Sequence, residues 1–536
     1  VKYSGSLESI RNRYNVYIKE LLNYYAIIVA DKAAIELISQ EDVIDYVEKP
    51  KSLYYQIERT KTAACVGSVR ADGNILSGKG VIVGVIDTGI DIFDNAFRNS
   101  DGTTRILNIY DQTTGEKYDK QSIDEYIRLN EDLSGGTFSY DNAPGVDNIM
   151  HGTDVSYIAA GSLGVAYEAD IIAVKMGYSI NNQFPRTTSL MDAIDYIIRK
   201  AIEYRKPVAV NISYGCNYGA HNGNTLLESF IDDISKSYRC VICVGSGNEA
   251  DKAIHFGGII DTGQVQTAYL SVGEYQSAID IQIWKNYWDT IDVMLINPRG
   301  EQIGIITEGR INRYETYNTE IITLLGEPSP YNIYQEIYIN LIPKTDYILS
   351  GIWQIVLMAG SIRAGEYNIW LPSSQALGYA TAFNNPTADG TITIPATARN
   401  CIAVGAYNAY TNSYAAFSGR GFDNSIRNVN AGVKPDITAP GVDISIARQR
   451  GNDITYRNVT GTSYAVPVVT GAAALLMQWG IVMGNDRFMY GEKLKAALID
   501  GSKPVGLVGI TRNDNQPDPR TGWGAVCLKN TLNKIL

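Results

Sequence analysis

Histidine is the scarcest residue type in this chain of 536 residues, which holds only His151, His221 and His255. Any mechanism that needs a base working near neutral pH must draw on one of these three imidazoles. His151 stands in Met150-His151-Gly152-Thr153-Asp154-Val155-Ser156, at the head of a small-residue helical pattern that ends at Gly161. Asp87 closes an apolar run in Val85-Ile86-Asp87-Thr88-Gly89, and the carboxyl end of a strand in an open α/β sheet is where catalytic groups gather. Ser463 lies in Gly461-Thr462-Ser463-Tyr464-Ala465-Val466-Pro467, ahead of Gly471-Ala472-Ala473-Ala474, a run suited to a helix buried at the domain centre. Pro467 is expected in the first turn of that helix, where its missing N–H is harmless. A serine at such a helix N-terminus meets unsatisfied N–H groups and the positive end of the helix dipole, which favour a developing anion. Asn248, in Gly245-Ser246-Gly247-Asn248-Glu249, follows another apolar run and carries an amide able to donate to an oxyanion. Each residue also has an ordinary structural reading: a cap or packed residue for His151, an N-cap for Ser463, a turn for Asn248.

The elements that must position these residues are legible from hydrophobic pattern. Val81-Ile82-Val83-Gly84-Val85-Ile86 is nearly all apolar, as expected for a strand covered on both faces in a parallel sheet. Similar runs recur at 171–176, 208–212, 241–244 and 402–404, and helical patterns such as Leu190 to Arg205 lie between some of them. The expected fold class is therefore α/β, a doubly wound parallel sheet. Between about 256 and 378 the helical pattern gives way to period-2 alternation at Ile279, Ile281 and Ile283, at Ile337, Ile339 and Leu341, and at Trp353, Ile355 and Leu357. Turn signals such as Asn297-Pro298-Arg299-Gly300 separate the segments, so the block reads as an antiparallel sandwich inserted into an α/β domain that resumes at Thr391. Residues 1–60 form a small α/β unit, with a strand at Ala26–Ala30, a helix at 32–37 and a Tyr-rich connector containing Tyr54-Tyr55-Gln56.

Composition narrows the function classes. Length alone suggests roughly three or four domain-sized units at ~150 residues each. Lys and Arg total 46 against 57 Asp and Glu, a net charge of -11 at pH 7, and an acidic chain without a basic tract is a poor nucleic-acid binder. No apolar run is read as approaching the ~20 residues of a membrane span. Val1-Lys2-Tyr3-Ser4-Gly5 lacks the charged-then-apolar layout of a secretory signal. Six cysteines are too few for a disulfide framework at this length. Cys240-Val241-Ile242-Cys243 has metal-ligand spacing, but it lies inside an apolar strand-like run and reads as buried small hydrophobes.

Taken together, Asp87-Thr88-Gly89, His151-Gly152-Thr153, Gly247-Asn248 and Gly461-Thr462-Ser463-Tyr464-Ala465-Val466-Pro467 resemble the motifs of subtilisin-like serine proteases over about 78–255 and 380–536. The resemblance implies that Ser463 is the nucleophile, His151 its general base and Asp87 the residue that orients the imidazole, working through an acyl-enzyme intermediate. It implies that the Asn248 amide and the Ser463 N–H form the oxyanion hole. Ser213-Tyr214-Gly215 resembles the family segment that pairs backbone-to-backbone with a bound peptide. His221 and His255 lie outside the motifs and are read as structural or substrate-edge residues. Residues 1–56 then fit a propeptide that chaperones folding, inhibits, and is cut somewhere within 50–66. The remaining division is 57–255 with 379–536 for the catalytic domain, and 256–378 for the insertion.

The insertion, with Trp284-Lys285, Gly351-Ile352-Trp353 and Gly365-Glu366-Tyr367-Asn368-Ile369-Trp370-Leu371-Pro372, is similar to the jelly-roll insertion of clostridial Csp proteases. That group acts in spore germination on a cortex-hydrolase zymogen, so protein or peptide substrates and a spore-associated or secreted location are implied. Some of its members are pseudoproteases, which leaves a regulatory scaffold held shut by its propeptide as the alternative. A glycan-binding role for the insertion rests on Trp284, Trp288, Trp353 and Trp370, residues more often found in cores. Calcium is frequent in the wider family, but no oxygen cluster assembles from the spacing here, so no cofactor or metal is assigned. Asn211-Ile212-Ser213 and Asn458-Val459-Thr460 match a glycosylation pattern and are discounted as lying in or beside buried strands.

Overall fold

Val- and Ile-rich runs without a polar face can be buried only as inner strands, and in the computed structural model they take that role. The structure describes residues 1–50, 54–55, 63–66, 70–71, 74–131, 143–177, 184–304, 306, 311–422, 432–450, 453–506 and 517–536. The parallel strands are β1 (Ile82–Asp87), β2 (Ile106–Asp111), β3 (Asp170–Lys175), β4 (Val208–Ile212), β5 (Cys240–Gly245), β6 (Ile402–Asn408) and β7 (Ile437–Pro440). They run in the order β2-β3-β1-β4-β5-β6-β7, and Glu116–Asp119 and Ser413–Tyr414 add short antiparallel partners to β2 and β6. The chain leaves β3 and crosses β1 to begin β4, so the carboxyl ends of β1 and β4 flank the switch point where such sheets bind ligands.

Helices cover both faces. On one side α1 (His151–Ala160) and α4 (Thr462–Met477) pack into one core with Val83, Val85, Ile171 and Val404. On the other, α2 (Thr187–Tyr204) and α3 (Leu226–Ser237) bury Leu190, Ile194, Phe230 and Ile234 against Ile82, Ile86 and Val210. Thr462–Val482 is in fact long and apolar enough to cross a membrane by length and composition, contrary to the sequence reading. Its all-round apolarity has another cause: it is the central helix, and every residue of α4 is buried.

The insertion forms two antiparallel sheets over one shared core. The six-stranded sheet runs His255–Ile259, Glu366–Trp370, Ile279–Asn286, Tyr334–Pro343, Thr319–Leu325, Ile311–Glu315. The five-stranded sheet runs Gln302–Ile303, Ile291–Ile296, Gly351–Ala359, Val265–Val272, Ala382–Phe383. The period-2 residues Ile279, Ile281, Ile283, Ile337, Ile339, Leu341, Trp353, Ile355 and Leu357 all face this core. Residues 1–50 carry a separate small core of Tyr3, Leu7, Ile10, Ile18, Ala26, Ile38 and Ile44. This unit sits on α2 and α3. Lys19 pairs with Asp192, Lys2 with Asp233 at 3.5 Å, and the Leu22 N–H donates to Asp195 at 3.1 Å. Glu48 accepts from Leu226 N at 2.7 Å, supplying the α3 N-terminus with an anion.

Candidate active site

β1 ends at Asp87 and α1 begins at His151, which brings their side chains together. His151 Nδ1 lies 2.6 Å from Asp87 Oδ1, and both residues are almost wholly buried. The glycine that follows each residue closely is a steric condition of this approach. A Cβ on Gly152 would stand 2.3 Å from Gly89 O, and one on Gly89, whose φ is 130°, would stand 2.4 Å from Gly145 O. Thr88 Oγ1 accepts from Gly152 N at 2.9 Å, tying the two turns directly. Burial opposes charge on His151, but the Asp87 carboxylate, its hydrogen bond, and then Asp147 and Asp154 raise its affinity for a proton above that of a free imidazole.

Ser463 is the second residue of α4, its hydroxyl is buried, and it makes no hydrogen bond among the described residues. The next side chain, Tyr464, meets the His151 ring edge-on at 5.2 Å between centroids. Pro467 lies inside α4 rather than in its first turn, because the helix begins at Thr462. A helical residue at 467 would donate its N–H to the carbonyl of Ser463, and proline has none. The Ser213 hydroxyl supplies the missing donor, 3.2 Å from Ser463 O, and itself accepts from Asn211 Nδ2 at 3.0 Å. Asn248 Oδ1 accepts from Thr462 N at 3.1 Å and Thr462 Oγ1 at 3.2 Å, which fixes the amide beside the Ser463 peptide. Asp87, Ser213 and Asn248 thus converge from the ends of β1, β4 and β5 on His151 and Ser463 at two helix starts.

Tyr214–Gly215 pairs antiparallel with Tyr54–Tyr55 of the same chain, Tyr214 opposite Tyr55 and Gly215 opposite Tyr54. The expected cut region overlaps 51–53 and 56–62, which lie outside the described residues. The short helical turn Ser374–Ala376, between the sandwich strands Glu366–Trp370 and Ala382–Phe383, also lies against Tyr54–Tyr55. Glu249, the neighbour of Asn248, accepts from Ser374 N at 3.1 Å and Ser374 Oγ at 3.3 Å. Burial lifts its carboxyl to about 7, despite the bonds from Ser374 and nearby Lys252. Behind His151, the Asp154 carboxylate is fully buried and is met by Arg448 Nε at 2.8 Å and Arg457 Nη2 at 2.7 Å, from the hairpin that precedes α4.

His221 and His255 stand apart from this cluster. Both stack on the buried Trp370 indole, at 4.1 Å and 4.8 Å between centroids. Trp284 and Trp353 are buried too, and Trp288 is 42% exposed beside Tyr287. Cys240 and Cys243 are buried in β5, and burial pushes both thiols up to about 12. Among the described residues no cluster of three or more His, Cys, Asp or Glu could hold a metal ion. Asn211 is buried in β4, but Asn458 is exposed, because its strand belongs to a surface hairpin rather than to the sheet. Two features are not legible in the sequence. A disulfide joins Cys65 to Cys527 across 462 residues, a pairing that spacing cannot reveal. Asp147, four residues before His151, is the other.

Residues 78–327 and 364–524 match the subtilase family, and the chain belongs to it. Within it the chain is of the Csp type: residues 1–51 match the Csp protease B prodomain. The solved structure of the Clostridium perfringens CspB protease is similar at 34% identity and a TM-score of 0.77, over 88% of this chain and 95% of that one. Among curated proteins, the subtilase-type proteinase RRT12 of Saccharomyces cerevisiae is 33% identical over 128 residues, 23% of each chain. The Neisseria meningitidis autotransporter lipoprotein NalP is 32% identical over 97 residues, 18% of this chain and 7% of that protein. The chain thus spans less than a quarter of the length of these two curated relatives.

Proposed function

We propose that this chain is a serine endopeptidase that cuts its own N-terminal unit and then protein substrates. Ser463 attacks the scissile carbonyl, His151 takes its proton, and Asp87 fixes the imidazole tautomer and stabilises the cation. The Asn248 amide and the Ser463 N–H receive the oxyanion, each donor worth roughly 3 kcal/mol of barrier by analogy. The observation that carries the reading is the buried 2.6 Å contact between Asp87 and His151, with the His151 ring against Tyr464. Residues 1–56 act as propeptide, 57–255 with 379–536 as catalytic domain, and 256–378 as an insertion that rigidifies it, its five-stranded sheet completed from beyond that boundary by Ala382–Phe383. Ser213, Tyr214 and Gly215 form the recognition strand, and likeness to the CspB protease supports a germination role on a cortex-hydrolase zymogen.

The test is intact mass of the parent beside Ser463→Ala. The parent should lose about the first 56 residues, the unit that the propeptide resemblance marks, and the variant should not. Equal masses would refute self-cleavage. One observation favours a second reading: Tyr54–Tyr55 occupies the recognition strand, as it would in a scaffold held shut by its own propeptide. A fluorophosphonate probe separates the two, because a permanently closed protein leaves Ser463 unlabelled.

A further inference from the structure

The carboxylate of Asp147 lies between the two turns that carry Asp87 and His151. It is 4% exposed and accepts five hydrogen bonds. Its Oδ1 takes the Thr88 hydroxyl at 2.7 Å, Ile149 N at 3.2 Å and Met150 N at 2.7 Å. Its Oδ2 takes Thr153 N and Thr153 Oγ1, both at 2.8 Å. The bridged residues are the one after Asp87, the two before His151, and the one two beyond it. The bridge continues outward, since Thr88 Oγ1 accepts from Gly152 N at 2.9 Å and Thr153 Oγ1 from Asp91 N at 3.0 Å. The chain reaches His151 through Met150, whose φ is 66°, an uncommon conformation for a residue with a side chain. The Met150 N–H held by Asp147 keeps it there.

Charge distinguishes Asp147 from its neighbour Asp154. Two guanidinium groups, Arg448 and Arg457, neutralise Asp154. The five hydrogen bonds to Asp147 all come from neutral hydroxyls or amides, and no ion pair to it occurs among the described residues. The ionisable groups acting on the imidazole are Asp87 at the end of β1, Asp147 from the preceding loop and Asp154 on α1, which Arg448 and Arg457 of the hairpin meet, with Tyr464 of α4 against the ring. Of these, Asp147 is the carboxylate hydrogen-bonded to the turn that leads into His151.

We infer that Asp147 is the positioning residue of this site: one buried carboxylate that locks the turn after Asp87 to the turn before His151 and adds negative charge near the imidazole. The inference rests on the reading of His151 as the base, and it predicts two separable effects. Asp147→Asn keeps the size and three acceptor contacts of Oδ1, but sets an NH2 against the Thr153 N–H and removes the charge. The acid limb of kcat/KM should move to lower pH by about half a unit or more, because less charge stabilises the imidazolium. The rate constant kcat should fall about tenfold or more with KM little changed, because the pair is misaligned. Thr88→Val removes one hydroxyl of the bridge and leaves the charge, so kcat should fall while the acid limb stays in place.

The titration has a readout independent of turnover. In Ser463→Ala protein, the His151 imidazole NMR resonance should titrate at lower pH when Asp147→Asn is added. An unmoved titration in that protein, or parental kcat in Thr88→Val, would overturn the inference. Thr88→Val also serves if Asp147→Asn does not fold. A parent protein that resists fluorophosphonate defeats the protease reading instead, and the NMR comparison still decides the role of Asp147.

Discussion

The support that Ser213 gives Ser463 can be measured, because the structure contains its own control. Ser213→Ala removes the donor at 3.2 Å from the Ser463 carbonyl and the acceptor at 3.0 Å from Asn211 Nδ2. Both orphaned groups are buried, and Asn211 keeps only its Oδ1 partner, the Thr470 hydroxyl at 3.2 Å. At about 1–3 kcal/mol for each unsatisfied buried group, the variant should lose about 2–6 kcal/mol of stability. Pro467→Ala restores an N–H one helical turn beyond Ser463, so the carbonyl regains a partner inside α4. In that background Ser213→Ala should cost about 1 kcal/mol less, since only the Asn211 amide is then left unpaired. The four proteins are compared by urea midpoints in a Ser463→Ala background, which keeps the carbonyl and excludes self-cleavage. If Ser213→Ala costs the same with and without Pro467→Ala, within about 0.3 kcal/mol, the missing proline N–H is not what Ser213 replaces.

Other perturbations test the surroundings of the site. Glu249 holds its proton up to about 7 in the fold, against 4.5 for the free side chain, so its contribution to stability is complete below the lower value and lost as pH rises through the upper one. Urea midpoints should fall across that window by the equivalent of about 2–4 kcal/mol, and Glu249→Gln should flatten the slope. Arg448→Ala leaves the buried Asp154 with Arg457 alone and should lower stability by about 2–4 kcal/mol at pH 7. That loss should shrink in acid, because burial already pushes the Asp154 carboxyl up, against the pull of both arginines. Reducing Cys65–Cys527 should lower the thermal midpoint by the equivalent of about 2–4 kcal/mol, and Cys65→Ser should remove the sensitivity to reductant.

Strands buried on both faces announce themselves, which is why β1, β4 and β5 can be read to within a residue or two from Val and Ile runs. The alternation at Ile279, Ile281 and Ile283 likewise carries the sandwich, since only an inward-facing row survives as period 2. Sequence misplaces Pro467 because its role depends on where α4 starts, and Thr462 carries no capping signature. The apolarity of Thr462–Val482 is underestimated for a related reason: Gly, Ala and Thr dilute the pattern of a helix that is nonetheless buried all round. Asp147 is invisible because the bond that ties it to the Asp87 turn, from Thr88 59 residues earlier, exists only after folding, and no spacing rule singles out an aspartate before a histidine. The Cys65–Cys527 bridge joins distant ends of the chain, a contact that only tertiary structure can supply.

The strand Tyr54–Tyr55 reaches Tyr214–Gly215, the strand proposed to recognise substrate, from within the same polypeptide, so its occupancy does not depend on how much of anything is dissolved around it. A tethered segment competes at an effective concentration on the order of millimolar, against which a free peptide at micromolar levels occupies few sites. Severing the chain after this strand changes the arithmetic. The N-terminal unit then becomes a dissociable ligand, held by contacts that include Lys2 on Asp233 and Lys19 on Asp192. Such pairs weaken as salt screens them. Dilution and ionic strength, which mean nothing to the uncut chain, thereby become the variables that set how much of the enzyme is open.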